Sequence, residues 1–299
     1  MANNNSSKTV FLALSVNLLI GFTKSIVAFI TNSSAMFSEA VHSFVDSFNQ
    51  FLLWFGIKQS NKKNSRLYPL GRGKEEYFWT LVVAVLIFTI GGLLSLEHGI
   101  EAINHPSELK NLQISISILS ISIILESYVL VKAIKSLKKN NTNKSIFQLL
   151  RDSNDGPLIA IVVEDLAATL GLIIALIGTL LSYFFENTIF DAISSILIGL
   201  LLVISGLFLG SEMKHLIIGE TSSNEDKLFL KNFINEFDEV LNVKEINVVS
   251  IGDNEYMAVV KIDYKDNMND REIVELNKKI ELEIKRTDER YSLLYLIPA

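Results

Sequence analysis

The chain has 299 residues, of which 49% are hydrophobic and 20% charged, and its formal net charge is −6. Its mean hydropathy of +0.35 is high for a soluble domain, so a lipid bilayer is the expected environment. The chain contains no cysteine, which excludes disulfides, thiolate metal sites and cysteine nucleophiles. Any metal ligands must therefore be imidazole and oxygen groups.

The charge is divided unevenly along the chain. Residues 220–299 hold 18 acidic and 11 basic side chains, whereas residues 1–219 hold 15 and 16. An acidic tail on a near-neutral apolar body argues against nucleic acid as a partner, because binding to phosphates requires a basic surface. The polar start MANNNSSK and the lack of a small-residue cleavage site after the first apolar run argue against a secretory signal.

Apolar stretches long enough to cross about 30 Å of hydrocarbon predict six transmembrane helices. They occupy residues 9–30, 34–57, 77–100, 112–136, 157–183 and 188–212. Six basic side chains lie in the connection 58–76 and six in the connection 132–156, whereas the other three connections contain only Lys110. The positive-inside rule therefore predicts a multi-pass protein whose two basic connections and both termini are cytoplasmic.

From about residue 220 the spacing of the hydrophobic residues becomes typical of the helices and strands of a small soluble α/β domain. Helical periodicity covers residues 230–241 and 273–284, and strand patterns surround residues 246–248, 257–262 and 291–297. A Gly252-Asp253-Asn254 turn is expected to join the first two strands. The order αββαβ predicts a two-layer domain whose small size favours association with a second copy. We therefore predict a transmembrane domain over residues 1–219 and a cytoplasmic domain over residues 220–299.

Two ionisable residues four positions apart fall within the second apolar stretch. In AVHSFVDSFNQ, His42 and Asp46 lie on one face of a helix, a single turn apart. An imidazole and a carboxylate at this spacing can share a borderline cation such as Zn²⁺. The alternative is an internal His–Asp hydrogen bond that only joins helices. We favour metal binding, because ionisable groups inside a membrane usually serve an ion path.

Further polar residues extend this candidate site. Asn49, three residues after Asp46, can face the same cavity or serve as a helix-packing amide. The fifth stretch contains the adjacent carboxylates Glu164 and Asp165, which point about 100° apart around a helix, so that only one faces a site squarely. We expect Asp165 to bind the metal and Glu164 to support it or to carry a proton. Alternatively, a carboxylate here neutralises Lys24 of the first stretch.

Ionisable residues in two other apolar stretches have weaker indications. Glu126 in the fourth stretch is a candidate for proton passage. Glu97, His98, Glu101 and His105 cluster at the end of the third stretch, where solvated boundary residues are expected.

Together these segments resemble the cation diffusion facilitator family over nearly the whole chain. SSAMFSEAVHSFVD is similar to the family's second-helix signature, with His42 and Asp46 at its first ligand pair. YPLGRG is similar to the family's His-Pro-x-Gly-x-Gly loop, except that Tyr68 replaces the histidine. The segments GGLLSLEHGIEAINHP, VVEDLAATLG, FDAISSILIGLLL and HLIIGE resemble the zinc-transporter-nine-like branch.

This resemblance implies six transmembrane helices, a cytoplasmic ferredoxin-like domain, a homodimer, and exchange of protons for Zn²⁺ or a similar ion leaving the cytoplasm. The family's fifth-helix ligand pair would place its first member at Ile161, so Glu164, Asn49 or water would have to complete the coordination. The zinc-transporter-nine-like branch shows the same Glu-Asp arrangement. The cytoplasmic segment lacks His and Cys, so regulatory zinc sites are not expected there.

The sequence therefore predicts a proton-coupled antiporter that exports a divalent cation, with Zn²⁺ ahead of Mn²⁺, Fe²⁺ and Co²⁺. The ion is the transported substrate, and no cofactor is expected. One imidazole with several carboxylates is a harder ligand set than one rich in histidine or cysteine. The alternative is a non-transporting metal sensor or partner subunit in which Ile161 marks a lost site. An enzyme is not expected, because no nucleophile–base arrangement is evident.

Overall fold

The computed structural model describes residues 18–62, 65–106, 108–138, 145–219, 224–252, 255–266 and 268–299. The chain divides into two compact units, one within Met1–Lys58 and Phe78–Met213 and the other within Gln59–Tyr77 and Lys214–Ala299. The connection between the second and third helices thus belongs to the same unit as the C-terminal domain. The division into domains 1–219 and 220–299 stays a prediction.

The apolar part of the chain folds into helices. They are α1 Leu18–Thr31, α2 Ser34–Ser60, α3 Glu75–Asn104, α4 Leu112–Leu137, α5 Ile146–Asp152, α6 Gly156–Phe185 and α7 Ile189–Ile218. A π-helical segment, Ile87–Leu93, lies within α3. The short helix α5 was not predicted, although Ser145 and Gln148 form a capping box at its start.

Four of these helices, α3, α4, α6 and α7, are long and apolar enough to cross a membrane. Helix α2 has 27 residues, but Glu39, His42, Asp46 and several serines make it more polar than the other long helices. Helix α1 is described from Leu18 onward, so residues 9–17 of the first predicted span lie outside the described residues. The helices are those of a membrane protein, and four of the six predicted spans coincide with helices of sufficient length and hydropathy.

The start of α2 is fixed by a carboxylate from α7. Asp191 accepts hydrogen bonds from Ser33 Oγ, at 2.6 Å, and from the backbone N–H groups of Ser34 and Ala35. The first N–H groups of a helix have no partner within the helix, so this carboxylate satisfies them and also interacts favourably with the helix dipole. Helix α2, which carries the candidate ligands, is therefore positioned against α7.

Helices α3 and α7 approach each other to backbone contact because glycines line their interface. A Cβ at Gly199 would lie 2.7 Å from the Leu96 nitrogen and 2.9 Å from the Gly92 carbonyl oxygen. A Cβ at Gly99 would lie 2.9 Å from the Ile196 nitrogen. Small residues are what allow membrane helices to pack this closely.

The C-terminal segment forms a three-stranded sheet with two helices. Its elements are α8 Asn224–Ile234, β1 Val240–Gly252, β2 Glu255–Tyr264, α9 Asp270–Thr287 and β3 Tyr291–Pro298. The strand order is β1-β2-β3, with β1 antiparallel and β3 parallel to β2. This confirms the predicted αββαβ order. Asp253 and Asn254 of the predicted turn lie outside the described residues.

The core of this domain lies between the helices and the sheet. Leu276, Ile280 and Ile284 form the buried stripe of α9, as the helical periodicity predicted. They pack in one hydrophobic cluster with Ile234 of α8 and Val260 of β2. The amphipathic pattern of the sequence therefore fixes which helix faces cover the sheet.

The connection between α2 and α3 packs on the end of β1. A Cβ at Gly73 would lie 2.4 Å from the Ile251 carbonyl oxygen and 2.6 Å from Gly252 Cα. Nearby, the Tyr77 hydroxyl lies 2.8 Å from Ser250 Oγ. The YPLGRG motif therefore ends in a close backbone contact with β1, and its second glycine is required because a side chain would not fit there.

Replacing Gly199 with alanine should destabilise the protein by about 1–3 kcal/mol, because the added Cβ would meet backbone atoms of α3. Gly210→Ala is the matched control on the same helix, since the nearest atoms to its Cβ would be 3.8 Å away. Thermal unfolding in detergent should give a lower midpoint for Gly199→Ala only. Equal midpoints for the two variants would contradict the close packing of α3 and α7.

Candidate metal centre

Helix α2 presents an imidazole and a carboxylate one turn apart, at the predicted spacing. His42 Nδ1 lies 3.2 Å from Asp46 Oδ1, and the side chains are 2% and 15% exposed. The contact lacks hydrogen-bond geometry, so these two atoms and His42 Nε2 are buried without a hydrogen-bond partner within the described ranges. Unpartnered buried polar atoms are costly, so this pair is better suited to receive an ion than to join helices.

Helix α6 contacts α2 through Glu164. Glu164 Oε1 accepts a hydrogen bond from Asn49 Nδ2 at 2.8 Å. Glu164 also interacts with Asp46, and both residues line the same cavity. Two carboxylates this close cannot both remain ionised unless a proton or a metal cation compensates them. We predicted that Glu164 supports the site or carries a proton, and in the structure it bonds to Asn49 of α2.

The carboxyl groups of three helices line one cavity of about 330 Å³. Asp46 comes from α2, Glu126 from α4, and Glu164 and Asp165 from α6. Helix α4 packs along α6, which brings Glu126 to this space. Asp165 Oδ2 is buried and has no hydrogen-bond partner in the described part of the chain. The cavity therefore offers several acidic oxygens to a cation, including those of the expected ligand Asp165.

Lys24 does not pair with the carboxylates of α6. Its Nζ lies 3.2 Å from Glu39 Oε2, and both side chains are buried. The alternative in which Glu164 or Asp165 serves only to neutralise Lys24 therefore does not describe this structure.

The candidate ligands lie near one another, but they are not arranged closely enough to coordinate one ion. Among the residues that the structure describes, no three His, Asp or Glu side chains are gathered closely enough to hold a metal. His42, Asn49 and Ile161 do not line the cavity; His42 and Asn49 are buried beside it on α2, whereas Ile161 is 37% exposed. If His42, Asp46 and a carboxylate of α6 bind one ion together, they must come closer than they lie here.

Ionisable side chains buried among apolar helices, around a polar cavity, define a membrane protein that handles cations. Residues 10–217 match the family model described as the cation efflux transmembrane domain. The chain belongs to the cation diffusion facilitator family. The resemblance to this family inferred from the motifs is thereby confirmed.

Three relatives illustrate this membership. Metal tolerance protein C4 of Arabidopsis thaliana is 28% identical over 270 residues, covering 89% of this chain and 59% of the relative. The human mitochondrial proton-coupled zinc antiporter SLC30A9 is 29% identical over 270 residues, covering 90% and 48%. The manganese efflux system protein MneP of Bacillus subtilis is 25% identical over 173 residues, covering 58% and 56%. The chain thus spans about half the length of the first two relatives.

Ile161→His should leave Zn²⁺ affinity unchanged, because residue 161 is exposed and does not line the cavity. Glu164→Gln, three residues further along α6, is the comparison and should weaken binding. Isothermal titration of the purified variants with Zn²⁺ measures both affinities. A clear gain in affinity for Ile161→His would show that residue 161 turns toward the ion when the metal is bound.

Proposed function

We propose that the protein is a proton-coupled antiporter that exports a divalent metal cation from the cytoplasm, with Zn²⁺ ahead of Mn²⁺, Fe²⁺ and Co²⁺. His42, Asp46 and Asp165 are the proposed ligands, and Glu164 and Asn49 complete or support the site. This proposal rests on buried side-chain atoms of His42, Asp46 and Asp165. Among the described residues, these atoms have no hydrogen-bond partner. Each of these atoms gains a partner when a cation binds.

We propose the family architecture for the whole chain. Helices α1 and α2 join the four long apolar helices to make six spans, and the C-terminal α/β domain is ferredoxin-like and forms the contact of a homodimer. The basic connections 58–76 and 132–156 support a cytoplasmic location for both termini. The metal, protons and the lipid bilayer are then the partners of one copy, together with a second copy of the chain.

The contact between Asp46 and Glu164 suggests how exchange works. Without metal, a proton shared by these two carboxyl groups removes their repulsion. A divalent cation needs deprotonated ligands, so its arrival displaces that proton. If the helices expose the site to the two sides of the membrane in turn, this competition is sufficient to couple the two flows.

The ligand set supports a broad choice of ion with some preference for zinc. One imidazole favours Zn²⁺, whereas several carboxylates also suit harder ions such as Mn²⁺. The names of two relatives fit this range, one a zinc antiporter and the other a manganese efflux protein. Comparing Zn²⁺, Mn²⁺, Fe²⁺ and Co²⁺ in the same proteoliposomes ranks the substrates.

Alanine at His42, Asp46 or Asp165 should each abolish Zn²⁺ uptake into proteoliposomes, because each removes a proposed ligand. Ile161→Ala is the matched control, since residue 161 lies on α6 one turn before Asp165 but outside the cavity lining. Uptake is followed with an internal metal dye, and equal reconstitution is checked on gels. Normal uptake by Asp46→Ala or Asp165→Ala would refute the ligand assignment. A wild-type protein that binds Zn²⁺ without moving it would instead be a sensor.

A proton gradient should drive metal toward the acidic side when that side lies opposite the cytoplasmic domain. Apparent metal affinity should fall as the pH drops from about 7 to about 6, because protons compete with the metal for the buried ligand groups. His42→Asp should shift this dependence. Internal pH and metal dyes record both flows, and metal flux that ignores the gradient would identify a passive uniporter.

A further inference from the structure

A buried ion pair joins α1 to α2, and neither of its members is a proposed metal ligand. Lys24 Nζ and Glu39 Oε2 are 3.2 Å apart, and the side chains are 2% and 0% exposed. Burying a charge among membrane helices costs several kcal/mol unless the charge is paired. Apolar side chains of similar size can join helices at lower cost, so this pair calls for an explanation beyond stability.

Glu39 lies on the same stripe of α2 as the proposed ligands. It comes three residues before His42 and seven before Asp46, so the three side chains succeed one another along one helix face. Its carboxylate fits against α6 because residue 171 is glycine, where a Cβ would lie 2.8 Å from Glu39 Oε1. That oxygen has no hydrogen-bond partner among the residues described. The bond that Glu39 does make is the one to the ammonium of Lys24.

The ammonium group is close to the metal site as well as to Glu39. It interacts electrostatically with His42, Asp46 and Glu126. One turn earlier on the same helix, Ile20 lines the cavity that contains the carboxyl groups. Lysine carries a compact charge on a flexible four-carbon stem. If Glu39 did not hold it, the ammonium would therefore have the acidic cavity as its nearest source of counter-ions.

We propose that Lys24 is a tethered competitor of the transported cation and that Glu39 sets metal affinity by holding the ammonium away from the ligands. This inference rests on the proposed function, because it takes Asp46 and its neighbours as the metal site. Glu39 is thus a positioning residue that acts through Lys24. Loss of Glu39 releases a competing charge, whereas loss of both residues removes the competitor.

A purely structural pair predicts a different pattern. If Lys24 and Glu39 only join α1 to α2, removing either one leaves an unpaired buried charge. Both single variants then lower the stability of the protein and its metal affinity. If Lys24 competes with the metal, Glu39→Gln weakens metal binding, whereas Lys24→Met leaves it as strong or makes it stronger. The direction in which metal affinity changes in the two single variants therefore distinguishes a competing Lys24 from a purely structural ion pair.

The test is a titration of full-length protein in lipid nanodiscs with Zn²⁺ alone and with Mn²⁺ alone. Glu39→Gln should lower affinity by about tenfold or more, as expected from one unit charge placed near a divalent ion in a medium of low dielectric. Adding Lys24→Met to this variant should restore affinity to within about threefold of wild type. Glu39→Asp keeps the negative charge and should also remain within about threefold.

Wild type and Asp46→Ala are measured first and separate the two proposals. Equal binding by wild type and Asp46→Ala would refute the metal site itself. If Asp46→Ala alone loses binding and Glu39→Gln binds like wild type, only the role of Lys24 is refuted. Failure of the double variant to restore affinity also overturns it, provided that size-exclusion and circular dichroism profiles match. If Glu39→Gln cannot be purified, weaker binding by Lys24→Met overturns the inference on its own.

Discussion

Placing carboxylates and an imidazole inside helices that cross hydrocarbon costs several kcal/mol for each group that stays charged without a partner. The polar contacts of α2 reduce this cost through its neighbours, because Glu39 bonds to Lys24 of α1, Asn49 to Glu164 of α6, and Ser34 to Asp191 of α7. The contacts are spread along α2 from Ser34 to Asn49. Each neighbouring helix is therefore bonded to α2 at one position along the α2 axis, and a displacement of α2 must break or exchange polar contacts.

Among the described residues, twelve buried side-chain polar atoms lack a hydrogen-bond partner, and four of them belong to the ionisable side chains of His42, Asp46 and Asp165. Unsatisfied atoms on several neighbouring ionisable groups are the basis of the proposed binding site. The carboxyl contact between Asp46 and Glu164 adds a requirement for positive charge. A proton and a metal ion both meet that requirement, and the proposed exchange of one for the other rests on this equivalence.

Packing without polar groups supplies the rigid part of the bundle. Glycines between α3 and α7 bring the two backbones into contact, so these helices move as one body if they move at all. In the second unit, Gly73 and Gly252 make a similar backbone contact between the α2–α3 connection and the end of β1. The absence of a side chain at each of these glycines thus permits the contact, and larger residues at these positions would separate the elements.

The sequence by itself determined the elements with a strong period: most of the helices, the αββαβ order of the C-terminal domain, and the His42–Asp46 spacing on one face of α2. These follow from local geometry, since 3.6 residues per turn fixes which side chains share a face. Only the tertiary structure decided that Glu164 meets Asn49 and Asp46, and that Lys24 pairs with Glu39. Adjacent carboxylates on α6 look alike in sequence. Their roles depend on how α6 is rotated about its own axis, and that rotation is set by packing against α2 and α4, which no local pattern records.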